Sequence, residues 1–208
     1  MKNFHNKVQV AHEHYSNDYD NFSRWVSYWN QISQIKILNV KNVLEVGVGN
    51  KTLSNYLRNH NFNVTTIDID KNLKPDFIGS VLNLPFPKNS FDAIVCFEVL
   101  EHIPFKEFEN ALKQLKRVTK KYVILSLPQC RITISVMVKM PLIDNFGTIL
   151  SFPLPLKHNF DGEHYWELGK RGSSHKFVRK IIKNNFEILR EFTPVLDNYH
   201  CFYVLRKK

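Results

Sequence analysis

The chain is poor in cysteine and in acids, and nowhere apolar for long. Cys96, Cys130 and Cys201 are its three cysteines, far apart and without a CxxC pair. That excludes a disulfide framework and a cysteine-held zinc site, and makes a reducing cytoplasm the expected compartment. Asp and Glu number 19 against 29 Lys and Arg, a net charge of +10. Such a balance favours anionic partners such as nucleic acid, a phospholipid surface or a phosphorylated substrate. The basic residues are scattered, however, with KRVTKK at 116–121 the densest run, which reads more simply as a solvated surface. The beginning of the chain has no apolar run of signal-peptide length. The most apolar stretch, 132–156, is broken by Lys139, Asp144 and prolines. No membrane span is expected there, although peripheral membrane contact stays open. There is no internal repeat and no low-complexity tract.

What remains is a chain of 208 residues, 43% apolar and 13% aromatic. That is enough for a substantial core in one globular domain spanning 1–208. Phe22, Trp25, Val26, Trp29, Ile32 and Ile35 recur at helical spacing and predict an amphipathic helix over 20–38. Strand and helix then alternate: strand 42–46, helix 51–60, strand 63–69, a turn-forming LPFPKNS, strand 91–99. A helix carrying Phe105, Phe108, Leu112, Leu115 and Val118 follows, then strand 121–127. This rhythm implies an α/β fold with a mostly parallel sheet covered by helices on both faces. Residues 129–170 show no clear period and read as an irregular insertion. A helix over 174–183 precedes two strands, FEILREF and CFYVLRK, expected to pair antiparallel at the sheet edge.

The stretch VLEVGVGNK, 43–51, places a glycine turn where the first strand ends. Ligands of open α/β sheets sit outside the carboxyl ends of the strands, so Gly47 and Gly49 would let a ligand approach the main chain there. Asp68 ends the next strand about 20 residues on, where an acid can accept from both hydroxyls of a ribose. The dinucleotide fingerprint wants a third small residue where this chain has Thr52, and it has no use for Glu45. A cationic nucleoside without a pyrophosphate explains both better, and S-adenosylmethionine is one.

At this point VLEVGVGN, VTTIDID, LPFPKNSFDAIVCFEVLEHI and KYVILSLP, in this order, resemble the class I S-adenosylmethionine-dependent methyltransferases, in particular the subgroup that acts on small molecules. The resemblance covers residues 40–128. It implies a Rossmann-like seven-stranded sheet with its last strand antiparallel, S-adenosylmethionine as cofactor and S-adenosylhomocysteine as product. It further implies Glu45, Gly47 and Gly49 around the methionine moiety, Asp68 on the ribose, and Ile69, Ser80, Val81 and Leu82 around the adenine. Glu98 would stand near the methionine end and the substrate. Residues 1–39 would be a helical cover, with Tyr15 and Tyr19 touching the cofactor, and 129–170 a substrate lid. Two positions depart from the pattern: many relatives have glycine in place of Lys51 and aspartate in place of Ser80.

A sulfonium donor is already activated, so the protein has to align the acceptor and, where needed, remove its proton. Glu98 and His102 in EVLEHI are the catalytic candidates, with Glu101 beside them. Glu163, His164 and Tyr165, in a segment rich in histidine and acid, are the substrate candidates. No metal is expected, because His158, Asp161, Glu163 and His164 match no ligand spacing. A nucleic-acid methyltransferase is the rival reading. It lacks support at CFEVLEH, where base-amino modifiers carry an acid or asparagine followed by two prolines and an aromatic. A non-catalytic S-adenosylmethionine-binding protein is the other, fitted by Lys51 and Ser80. A nicotinamide oxidoreductase is disfavoured by Thr52 and Glu45. The apolar part of the insertion points to an acceptor with a hydrophobic part.

Overall fold

A computed structural model describes residues 8–10, 12–15, 19–140 and 143–208. After a short 3-10 turn at His12–Tyr15, helix α1 spans Phe22–Ile37. Then come β1 (Asn42–Val46), α2 (Thr52–Asn59), β2 (Asn63–Asp68), the short β3 (Phe77–Ile78), β4 (Phe91–Phe97), α3 (Phe108–Val118) and β5 (Thr119–Pro128). β6 (Arg131–Met140) and β7 (Ile143–Pro153) follow, then α4 (His175–Asn185), β8 (Phe186–Phe192) and β9 (His200–Lys207). Seven strands form one sheet in the order β3-β2-β1-β4-β5-β9-β8. β1 to β5 run parallel, and β9 lies antiparallel between β5 and β8. The expected fold class and its antiparallel last strand are both present.

Alternate residues of the central strands feed two cores, as a sheet buried on both faces requires. Leu44, Ile94, Cys96, Val123, Leu125 and Tyr203 pack with α3 and α4 on one face. Val43, Ala93, Val95, Ile124 and Val204 pack with Ile32, Ile35, Leu53 and Leu57 of α1 and α2 on the other. The strand order reverses between β1 and β4, which opens a crevice at their carboxyl ends.

Two expectations change. The insertion is not irregular throughout: 131–153 is a β-hairpin in register from Arg131 opposite Pro153 to Met140 opposite Ile143. Its first strand does alternate, with Ile132, Ile134, Val136, Val138 and Met140 on one face, a period-2 signal hidden by Met137 and by the prolines beyond it. That face, with Leu150 and Phe152 opposite, is exposed. Helix α1 forms nearly as expected, capped by the Asn21 side chain accepting from the Arg24 amide at 3.1 Å. Its N-terminal half, however, turns a polar face inward. Phe22, Trp25 and Trp29 are exposed, while Ser27, Tyr28 and Gln31 are buried. Arg24 and Ser27 on that face donate to the partly buried carboxylate of Glu98 beneath it.

Candidate active site

The crevice between β1 and β4 widens into an open-mouthed cavity. Its floor is the glycine turn after β1. Gly47 has φ +82°, and a Cβ there would stand 2.3 Å from the Val99 side chain, so no other residue fits without displacing Val99. Gly49, at φ +47°, lies under the ring of Tyr15. Lys51, where many resembling sequences have glycine, also adopts a left-handed φ of 66°, and its Nζ donates to Lys74 O at 2.8 Å.

Asp68 ties this turn to β2. One carboxylate oxygen accepts from the Val48 amide at 2.8 Å and the other from the Asp70 amide at 2.9 Å. Asp68 lines the cavity together with Ile69, Ser80 and Val81. The Ser80 hydroxyl accepts from the Leu82 amide at 3.2 Å. Leu82 itself is not on the wall; its side chain is buried in the core beneath, since its neighbour Val81 takes the inward position. Glu45 lines the deepest part and is 4% exposed. Burial pushes its carboxyl up to about 8, against the Ser54 hydroxyl and Arg58, which act in the opposite direction.

Opposite the glycine turn stands Glu98, just beyond β4, with φ 55°, a conformation costly for a side-chain-bearing residue and found where a site enforces it. Arg24 of α1 donates to one of its oxygens, the Ser27 hydroxyl donates to the other at 3.4 Å, and His200 Nε2 lies 3.4 Å away. His200 Nδ1 in turn donates to Asp197 at 2.9 Å. Burial alone would raise the Glu98 carboxyl, but His200 and Arg24 outweigh it and hold it well below the usual carboxylate range. Burial likewise opposes charge on His200, yet Glu98 and Asp197 push it up to about 10. Arg24, Asp197 and His200 were not foreseen, because only the fold brings α1 and the start of β9 to the end of β4. Arg24 also lies over the ring of Tyr19, 4.4 Å from its centre. Tyr19 and Tyr15 meet edge to face at 5.0 Å and line the cavity.

At the other end of the cavity, His102 donates from Nδ1 to Glu163 O at 3.0 Å, which leaves Nε2 as an acceptor. The substrate candidates do not line the cavity. Glu163 supplies that carbonyl while its side chain faces His14 at 3.7 Å. The His164 ring meets the His102 ring edge to face at 5.0 Å. The Tyr165 amide donates to Glu101 O, and its ring packs on Phe160. This segment therefore braces His102 from behind, pinned by Trp166, whose indole donates to Leu100 O at 3.0 Å.

Residues 44–127, which carry the glycine turn, Asp68 and Glu98, match the family model of a methyltransferase domain. Over these residues the chain is similar to a methyltransferase domain. The chain is 33% identical over 85 residues to an uncharacterised protein of Methanocaldococcus jannaschii, an alignment covering 38% of this chain and 36% of that one. It is 28% identical over 108 residues to a ubiquinone biosynthesis O-methyltransferase of Rickettsia bellii, covering 46% and 42% respectively. The matched stretch thus spans less than half the length of these curated relatives. The fold extends further than the sequence match. Magnesium protoporphyrin IX methyltransferase from Synechocystis, solved with bound S-adenosylmethionine, superposes with a TM-score of 0.59 at 15% identity over 94% of each chain.

Proposed function

We propose that the protein transfers a methyl group from S-adenosylmethionine to a small molecule with a hydrophobic part. The observation that carries this reading is the cavity at the strand-order reversal, where a glycine turn, Asp68 and a partly buried, anionic Glu98 converge on one ligand-sized space. Glu45, Gly47 and Gly49 suit the methionine moiety, Asp68 the ribose, and Ile69, Ser80 and Val81 the adenine. Glu98 is held ionised by Arg24 and His200, which makes it a poor proton acceptor and a good electrostatic partner for a cationic cofactor. His102, with Nε2 free, is the better base for an acceptor proton. Residues 8–39 act as the cover through Tyr15, Tyr19 and Arg24. The part of that cover at 1–7, 11 and 16–18 lies outside the described residues.

The hairpin leaves the sheet at the carboxyl end of β5, on the same side as the cavity mouth. Its exposed apolar face supports an acceptor with a hydrophobic part. The relative named as an O-methyltransferase favours oxygen as the accepting atom. Among the described residues no helix is long and apolar enough to cross a membrane. Free cysteines, two of the three buried, suit a reducing cytoplasm.

Calorimetric titration with S-adenosylmethionine and S-adenosylhomocysteine tests the cofactor. Saturable binding is expected, weakened at least about tenfold in Asp68→Ala, a loss of about 1.4 kcal/mol or more. Absence of binding to the folded wild-type chain overturns the reading.

A further inference from the structure

We infer that Glu101, His102 and His164 form a site for a divalent metal of the zinc class at the acceptor end of the cavity. One ligand atom from each of the three lies within 4.8 Å of the other two, so small side-chain rotations close them around an ion with bonds of about 2.0–2.2 Å. Glu101 is 1% exposed, and its Oε2 has no hydrogen-bond partner. A buried carboxylate oxygen left unpaired is costly unless something cationic meets it.

The two imidazoles are already arranged as metal ligands are. His102 Nδ1 is committed to Glu163 O at 3.0 Å, and His164 Nδ1 faces the Glu167 carboxylate at 3.7 Å. Each therefore has its Nε2 left for a ligand and its other nitrogen braced by an oxygen, the outer-shell pattern that orients metal-binding histidine. His158 cannot join them, because its Nε2 donates to His164 O and its Nδ1 accepts from Lys170.

Two further groups of potential ligands are already neutralised. In Asp161–His164–Glu167, Lys170 holds Glu167 at 3.0 Å, and Asp161 accepts two backbone amides. In His175–Glu191–Cys201, Arg179 engages both oxygens of Glu191. Among the described residues, only the set with Glu101 combines two imidazoles with a carboxylate oxygen, Oε2, that no donor reaches. That donor set suits zinc and its transition-metal neighbours over magnesium. Three protein ligands leave a position open. His102 lines the cavity, so that position faces the acceptor. Resting on the methyltransferase reading, it would hold an acceptor oxygen and favour loss of its proton to solvent water, His102 then serving as a ligand in place of the base.

The test is calorimetric titration of the full chain with Zn2+, with Mg2+ as the hard-ion comparison, in the presence and absence of S-adenosylhomocysteine. One Zn2+ per chain is expected, bound more tightly than Mg2+. His164→Ala and Glu101→Gln should each weaken it at least about tenfold, and His175→Ala should leave it unchanged. Circular dichroism melting reports whether each variant folds. Should Glu101→Gln fail to fold, His164→Ala, altered in a partly exposed side chain, decides. No Zn2+ binding, binding insensitive to both variants, binding lost in His175→Ala, or an equal preference for Mg2+ overturns the site. Zn2+ binding without S-adenosylhomocysteine binding would keep the site and remove the methyltransferase reading; the converse would do the reverse.

Discussion

Glu45 is the residue at which local chemistry and folding pull apart. An acid at the end of a central strand is enclosed by the sheet, and burial pushes its carboxyl from 4.5 to about 8. A carboxyl whose folded pKa is raised binds more protons folded than unfolded, so stability falls as pH rises from about 4.5 to about 8 and is level beyond. Glu45→Gln removes that dependence. The variant is expected to be more stable than wild type by about 2 kcal/mol at about pH 8, the gap closing toward about pH 5, in denaturant unfolding followed across that range. A pH-independent difference would contradict the assignment. The residue was legible in the sequence because it had no role in a dinucleotide fingerprint. Its protonation state was not, since that depends on how much of the sheet surrounds it. Lys51 shows the same division: the departure from glycine is visible in the sequence, the left-handed backbone it must tolerate only in the fold.

At the scale of elements, the strands and helices that bury their faces on the sheet were legible almost to their ends, because period 2 and period 3.6 are imposed by that burial. Helix α1 and the hairpin were harder to read. In α1 the apolar stripe of Phe22, Trp25 and Trp29 suggested the buried face, yet Arg24, Ser27 and Gln31 are turned inward. Pairing the partly buried Glu98 draws these polar groups inward and leaves the aromatics exposed. The hairpin's alternation serves no core, so its apolar face stands free. Substituting Ile134 and Leu150, cross-strand partners on that face, by Asp should leave cofactor affinity unchanged and raise KM for an apolar acceptor about tenfold or more. Steady-state kinetics with acceptors differing in chain length read this out. An equal KM for short and long acceptors would remove the hairpin from substrate binding.

At the scale of the whole molecule, the chain Arg24–Glu98–His200–Asp197 ties the first helix, the end of β4 and the start of the last strand into one charged unit. Glu98, held below the ordinary range, contributes stability above about pH 4.5 that is lost only in strong acid. His200, raised from 6.5 to about 10, contributes stability that is complete below about pH 6.5 and lost as pH rises through about 10. With Glu45 acting in the same direction, thermal stability should be greatest between about pH 4.5 and 6.5 and decline steadily to about pH 10. His200→Gln should flatten the alkaline part of that decline, as melting temperatures across the range would show. An unchanged slope would mean that the histidine is not charged in the folded state.

The amino-acid sequence by itself determined the order of elements, the two-faced parallel sheet and the glycine turn at the carboxyl end of β1. Each of these depends on residues close in the chain or on a periodicity that burial enforces. Only the tertiary structure decided which groups meet across the cavity. Arg24 and His200 reach Glu98 from opposite ends of the chain, and His164 reaches His102 from an insertion with no regular pattern. Such contacts join residues between which no spacing exists to be read, and they are set by how the sheet orders its strands.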